Sequence, residues 1–563
     1  MFYSWHVPKN LRLCPALFSY ILKNGYSLST LLKDVSAGLT VGVVALPLAL
    51  AFAIASGLTP DRGLYTVVGG ALLMAMLSGS RFQVCGPTGA FVVIIYNIVQ
   101  RHGYDGLVIT TLMAGALLIV FGLLRLGVLI KFIPYPVTTG FTTGIALLIF
   151  TSQVKDFFGL PLASTPPEFF DKLEVYGQHA LSFSPATLGV GAFTLLILLL
   201  VRCKIPRIPA PVVGVILASL LVGLFGLPVD TIGSRFGAMP SELPDFRLPE
   251  GLSFERIRLL FPDALTIALL AGIESLLSCV VADSMSGERH DANMELVAQG
   301  AGNIASIFFG GFAATGAIAR TATNVRAGAV TPVSALVHVL VVMAFILWLA
   351  PLAAYIPLAS LAAILVLISW DMSDLRNVRQ MFKGPKSDWA VMLLTFALTV
   401  VIDLTVAVYT GVILASMLFM HRMSLMTRIG TADAEHRDVP DVPLDGEDVP
   451  EGVQVFTING PFFFGVADRF QNVIDAIQHT PKVFILYLHN VPAIDATAIH
   501  ALESFLERRG STHILLADLR PQARKTLDSM GLLRRIGPDN VFNSLHAAIE
   551  HSRELLRDQK QQG

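Results

Sequence analysis

The sequence predicts an all-α polytopic membrane domain followed by a small α/β domain, and three observations lead there. Hydrophobic residues make up 54% of the 563-residue chain and charged residues only 14%, against roughly a quarter charged in an ordinary soluble domain. Mean hydropathy is +0.66. The apolar excess is uneven, filling the chain as far as about Met426 and thinning sharply beyond it. One large unit therefore has lipid as its solvent, and a smaller one has water.

Runs of about 20 apolar residues, the length at which a helix crosses the hydrocarbon core, recur near 34–58, 63–79, 105–124, 132–156, 184–202, 209–227, 262–284, 332–351, 356–370, 388–403 and 404–421. Two apolar segments, 82–100 and 300–329, are too short or too rich in glycine and proline to cross as simple helices. The N-terminal stretch 1–33 carries Lys9, Arg12 and Lys23 among scattered aromatics. It lacks the compact apolar core and small-residue cleavage site of a signal peptide. Arg125 with Lys131, Arg202 with Lys204 and Arg207, Arg376 through Lys386, and Arg422 with Arg428 fall on alternate connections. The positive-inside tendency places these, and both termini, in the cytoplasm. The intervening loops, 157–183 and 228–258, are mixed or acidic.

An internal repeat is visible. An apolar run from Asp34 is followed by the broken stretch Cys85-Gly86-Pro87-Thr88 and then by Phe132-Ile133-Pro134. In the second half a run from Phe261 is followed by Thr315 to Arg320 and then by Tyr355-Ile356-Pro357. Interrupted segments at matching places in two halves point to a transporter's binding site, because half-helices then meet near the midplane. The plainer reading is that glycine and proline are simply common in membrane helices.

Two charged residues stand out. Glu274 is the acid in the interior of the apolar helix from Pro262 to Asp283, where burying a charge costs on the order of 3 kcal/mol or more. Ser275 and Ser278 make the same region polar. Glu274 is then either a functional group or a structural partner for a base such as Arg320. The stretches Cys85 to Ala90 and Thr315 to Thr321 each read as extended chain turning into a helix, with small residues that leave backbone N–H groups open. Two such helix starts with Arg320 suit a small oxyanion or carboxylate. The lesser alternative is that Arg320 and Arg326 are cytoplasmic loop charges, which fits Arg326 better than Arg320.

Beyond Met426 the chain is acidic and proline-rich as far as Pro450, the composition of an exposed linker. Short strand-like and longer helix-like runs then alternate to the end, which is a small α/β domain. The expected division is an N-terminal cytoplasmic segment 1–33, a membrane domain 34–425, a linker 426–450 and a soluble domain 451–563. Cys14, Cys85, Cys203 and Cys279 lie far apart and make neither a disulfide framework nor a zinc site. No nucleophile–base–acid set, Walker loop or metal-ligand cluster is present in the sequence, so it points away from an enzyme and calls for no cofactor and no nucleic acid.

The runs Ala45 to Tyr65, Gly79 to Phe91, Gly272 to Ile304 and Gly310 to Ala335 resemble the SulP family of anion transporters, with a STAS domain at the C-terminus. In appearance the chain is most similar to the family's bacterial C4-dicarboxylate carrier. The resemblance implies about fourteen segments in two inverted seven-segment repeats, a core domain moving against a gate domain, and substrate held between the third and tenth segments. It implies Thr88, Gly89 and Ala90 at the first anion-binding end, Ala319, Arg320 and Thr321 at the second, and Phe52 as a wall from the first segment. It also implies a homodimer, in a bacterial inner membrane, with a possible cytoplasmic protein docked on the STAS domain. The leading expectation is alternating-access transport of a small anion, a C4-dicarboxylate such as succinate or fumarate, or sulfate. A proton is the coupling ion and Glu274 the coupling group. Sodium-coupled bicarbonate transport, a channel-like anion conductance, and an anion sensor signalling through STAS are the alternatives. Two positions depart from the family pattern. Arg62 replaces an aromatic in what reads as a loop, and Asp495 is followed by Ala496 rather than by a phosphorylatable serine.

Overall fold

The computed structural model describes residues 14–130, 134–162, 165–166, 168–205, 208–246, 248–249, 251, 253–402, 404–431, 449–475, 481–508 and 512–562. Lys9, Arg12, Lys131, Phe132, Ile133, Arg207 and most of the acidic linker lie outside them. The chain forms two compact units that divide between Ala415 and Ser416.

In the first unit a short helix, Ala16–Asn24, precedes α1 (Leu28–Ala55). Three pieces, Pro60–Thr66, the π-helical Val67–Ala71 and Leu72–Leu77, run on as a second segment. Extended chain then carries β1 (Cys85–Gly86) into α2 (Gly89–Leu123). At 35 residues α2 exceeds one crossing, and Gly103, at φ 68°, divides it into two. The half is completed by α3 (Tyr135–Phe158), α4 (Pro185–Lys204) and α5 (Ala210–Phe225). The second half repeats the order: α6 (Phe254–Ser286), α7 (Ala292–Phe308), then β2 (Thr315–Gly316) leading into α8 (Ile318–Arg326). It continues through α9 (Val333–Ala344) with its extension to Ala353, α10 (Leu358–Met372), α11 (Lys386–Val401) and α12 (Leu404–Met426), within which the division between the two units falls. With α2 counted as two crossings, each half has seven segments.

Packing sorts these helices into two bundles. In one, α1 lies on α9, and α2 lies on α6 and α7; in the other, α3 lies on α10 and α11, and α4 on α5 and α10. The α2–α7 contact is backbone to backbone, since a Cβ on Gly300 would stand 2.4 Å from the Gly115 carbonyl oxygen. Small residues at such crossings let van der Waals contact replace the hydrophobic drive that lipid does not supply.

The two interrupted stretches gain sharper bounds, and one helix was not expected. The stretch 82–100 is not broken throughout, because α2 already begins at Gly89. Nor is 300–329, since α7 takes up Gly300 to Phe308 and confines the break to the residues just before α8. Helix α7 itself was not expected: Glu295, Gln299 and Asn303 depress its hydropathy, yet all three are fully buried.

The second unit is a five-stranded sheet in the order β3 (Arg428–Thr431), β4 (Val453–Asn459), β5 (Val483–Tyr487), β6 (His513–Ala517), β7 (Val541–Phe542). Only β3 runs antiparallel. Helices α13 (Phe464–Asp475), α14 (Ala496–Arg508), α15 (Pro521–Ser529) and α16 (Leu545–Gln562) connect and cover it. Alternation along β5 sends Phe484 and Leu486 to the face packed with Phe470 and Phe505, and Val483 and Ile485 to the face packed with Leu545 and Ile549. The expected linker 426–450 thus opens with a strand, because Arg428 to Thr431 find partners in β4. A chain ended at Pro450 keeps β3 without β4 and exposes an unpaired edge. Ending the chain at Met426 is therefore expected to give the more monodisperse membrane unit on size-exclusion chromatography; equal profiles would contradict the assignment of β3.

Candidate functional site

The two broken segments cross each other. β1 and β2 pair antiparallel, Cys85 opposite Gly316 and Gly86 opposite Thr315, and Ala317 N–H donates to the Val84 carbonyl at 2.9 Å. So short a ladder needs support, and side chains supply it. From α6, Ser275 Oγ accepts from Gly316 N–H at 3.0 Å and lies 2.7 Å from Thr315 Oγ1. Thr321 Oγ1 accepts from Val84 N–H at 3.1 Å and from the Ser278 hydroxyl at 2.9 Å. Asn303 holds Ala314 on both sides, donating to its carbonyl at 2.9 Å and accepting from its N–H at 2.8 Å. Irregular backbone at membrane depth is tolerated only when its polar groups are met in this way.

Because the strands are antiparallel, α2 and α8 leave the crossing in opposite directions. Thr88 precedes α2 in extended conformation and makes no side-chain cap. The first N–H groups of a helix have no acceptor within it; these are Gly89 and Ala90 in α2, and Ile318, Ala319 and Arg320 in α8. Phe52 is buried beside this end: a Cβ on Gly89 would stand 3.4 Å from Phe52 Cε1 and 3.6 Å from Ile149 Cδ1. Of the second triplet, Ala319 is exposed while Arg320 and Thr321 are buried. The Thr321 hydroxyl is occupied by the crossing it supports.

Glu274 and Arg320 fasten on one turn. Thr88 Oγ1 donates to Glu274 Oε2 at 3.1 Å, and Arg320 Nη2 donates to the Pro87 carbonyl at 3.0 Å. Among the described residues these two charges form no ion pair with each other. Arg320 lies in α8, only 2% exposed, and not in a loop. Its Nη1 has no hydrogen-bond partner and occupies the space a side chain at residue 86 would need, 2.6 Å from a Cβ built there. With φ at 152°, Gly86 is excluded from substitution by conformation as well.

Sequence reasoning missed a fully buried acid on α7. Glu295 Oε2 accepts from the Ser78 hydroxyl at 2.6 Å and Gly79 N–H at 3.0 Å, and Oε1 from Gln83 at 2.9 Å and Gln299 at 2.7 Å. The signal was present: Glu295, Gln299 and Asn303 recur every four residues, one polar stripe on one helix face. Glu295→Ala strands these donors and is expected to cost about 3 kcal/mol, read as a lower melting temperature in detergent; an unchanged melting temperature would contradict the cradle. Arg62, expected in a loop, lies in the helix Pro60–Thr66. It stacks 3.4 Å over the Tyr104 ring and donates to Gly310 O at 3.1 Å. In the second unit Asp495 accepts from Ala498 N–H at 2.8 Å and Phe464 N–H at 3.0 Å, so it caps α14 beside an Ala496 that has no hydroxyl.

Comparison with known proteins agrees with this architecture. The sulfate permease family profile matches residues 31–395, and the STAS domain profile matches residues 448–548. YvdB of Bacillus subtilis strain 168, a protein named for sulfate transport, is 40% identical over 523 residues, covering 92% of this chain and 97% of that protein. The bicarbonate transporter BicA of Picosynechococcus is 29% identical over 536 residues, covering 92% and 94%. Among solved structures, murine Slc26a9 in its inward-facing state superposes with a TM-score of 0.84 at 19% identity, covering 96% and 94% of the two chains. The transmembrane domain of a cyanobacterial BicA superposes with a TM-score of 0.60 at 30% identity, over 69% of this chain and 98% of that one.

Proposed function

As the chain belongs to the sulfate permease family and is an anion transporter rather than an enzyme, we propose that it moves a small dianion by alternating access, coupled to protons. The substrate class is a C4-dicarboxylate such as succinate or fumarate, or sulfate. One observation carries the reading: two open helix starts, at Thr88–Ala90 and at Ala319–Arg320, meet at one crossing with the Arg320 guanidinium fixed beside them. Helix dipoles and free N–H groups stabilise an anion there, and Arg320 adds a full charge that favours two negative charges over one. Phe52 and Gly89 shape the wall. Glu274 is the coupling group, since it is bonded to the residue that begins the anion-binding helix. Thr321 acts by positioning the crossing.

The test is uptake and counterflow in proteoliposomes with labelled succinate, fumarate, sulfate, bicarbonate and chloride, under a pH gradient and then with sodium on one side. Proton-driven uptake of a dianion is the expected result. Sodium-coupled uptake of bicarbonate is the second reading, favoured by the similarity to BicA, and the same assay reports it. Large unitary currents would instead indicate a channel, and ligand binding without flux a sensor.

The setting proposed is a bacterial inner membrane with both termini in the cytoplasm. In its support, an even number of segments puts the basic connections at Arg125, Arg202, Arg376 and Arg422 on one face. A homodimer is proposed as well, checked by whether the detergent-solubilised particle carries two copies of the 60.7 kDa chain. The STAS domain is taken as a docking module for a cytoplasmic protein.

A further inference from the structure

One turn outward from the helix starts, α1, α2 and α3 line a cavity of about 340 Å³. It continues the walls of the candidate site. Ile54 follows Phe52 on α1, Val92 and Tyr96 lie one and two turns beyond Gly89 on α2, and Leu148 and Ser152 flank Ile149 on α3. The mouth lies on the face opposite the basic connections and is itself charged, with Lys155, Asp156, Glu168, Lys172 and Arg235. Arg235 Nη1 is paired with Asp156 at 2.6 Å.

Lys172 differs from the rest. It sits in the helix Phe169–His179, only 5% exposed, with its ammonium 5.6 Å from the centre of the Tyr96 ring. Among the described residues it makes no hydrogen bond and no ion pair. Burial holds its ammonium below the ordinary lysine range, while Glu168 pulls the other way. A largely buried cation, bordering an open polar cavity and lacking a bonded counter-charge, gains most from an anion that enters beside it.

We propose that Lys172, over the face of Tyr96, forms a capture site for a small carboxylate or oxyanion on the route to the α2 and α8 helix starts, separate from the site between them. This rests on the anion-transport reading above. The captured anion supplies the bonded partner that Lys172 lacks, in competition with the nearby Glu168 carboxylate, and Asn97 and Gln100, which line the same cavity, offer amide donors. It then moves along α2 past Val92 to Gly89. A charge at a mouth acts on encounter and local concentration rather than on the moving step itself.

The experiment uses the full chain in proteoliposomes oriented with this face outward, and whichever of labelled succinate, sulfate and bicarbonate the wild type carries. Lys172→Met keeps the apolar stem against Tyr96 and removes the charge; Lys172→Arg keeps the charge. Lys172→Met is expected to raise the half-saturating concentration about five-fold with the maximal rate held, and to flatten the fall of uptake with ionic strength. Lys172→Arg is expected to stay near wild type in both. An unchanged half-saturating concentration in Lys172→Met, or an equal rise in both variants, overturns the proposal. Failure of the central site has a different signature: wild-type uptake in Arg320→Ala would remove that reading and leave the Lys172 result standing.

Discussion

Replacing Glu274 by Gln is expected to abolish proton-driven accumulation while leaving anion exchange within about three-fold of wild type. A carboxylate at this depth can alternate between an ionised form that accepts from Thr88 and a protonated form that can donate. Its Oε2 already accepts the Thr88 hydroxyl at 3.1 Å, and Thr88 precedes α2, the helix whose first N–H groups are proposed to bind the anion. Protonation and anion occupancy are then linked through one hydrogen bond. Gln has nearly the shape of the protonated acid but carries no exchangeable charge, so the linkage is fixed in one state. One pH unit stores about 1.4 kcal/mol per proton, which supports roughly ten-fold accumulation in a coupled carrier. In Glu274→Gln that ratio should collapse to about one, whereas exchange of internal for external anion should persist. Glu274→Asp should keep coupling and shift its pH dependence. Concentrative uptake by Glu274→Gln under a proton gradient would make Glu274 structural. Uptake by wild type that responds only to sodium would keep the residue and change the ion.

Arg320→Ala carries the second large effect, a loss of dianion binding that exceeds the loss for a monoanion. The guanidinium is buried and held by the Pro87 carbonyl, so its position relative to the helix starts is fixed before any anion arrives. At an effective dielectric near 20, a fixed charge roughly 8 Å from a ligand charge contributes about 2 kcal/mol for each ligand charge. Succinate or sulfate should therefore weaken about a thousand-fold, while chloride weakens about thirty-fold. Arg320→Lys should rescue only in part, because an ammonium cannot both reach the Pro87 carbonyl and fill the space against Gly86 as the planar fork does. Equal losses for chloride and succinate, measured by equilibrium binding in detergent, would contradict the charge argument.

Sequence periodicity made most spans legible, because a long apolar run has one stable solution in lipid. It also located both breaks, since Cys85-Gly86-Pro87-Thr88 and the small residues around Thr315 cannot continue a regular helix. The boundary inside α2 was legible too: Gly103 ends one crossing and begins another within a single 35-residue helix, in the gap between the runs 82–100 and 105–124. Helix α7 escaped because hydropathy treats Glu295, Gln299 and Asn303 as surface residues, whereas here each meets partners from a different stretch of chain. The same limit applies at the site. Glu274 and Arg320 were visible as charges in apolar surroundings, but Thr88 and Pro87 as their partners were not, because those contacts join residues 186 and 233 positions apart. Lys172 gave no signal at all, since its burial depends on Tyr96 and on how a loop helix settles against α3 and α11.

The pairing of β1 with β2 has a consequence for biogenesis. During synthesis the first half of the chain enters the membrane with Cys85 and Gly86 already made, while Thr315 and Gly316 are still to come. Until they arrive, the backbone of β1 has no ladder partner, Gln83 lacks the Glu295 acceptor 212 residues later, and the Pro87 carbonyl lacks its arginine. An early insertion intermediate must therefore leave these groups wet or shielded by other means. The proposed anion site is assembled late, when the second half docks, so a ribosome-stalled or split first half should insert its spans and yet carry no anion at all.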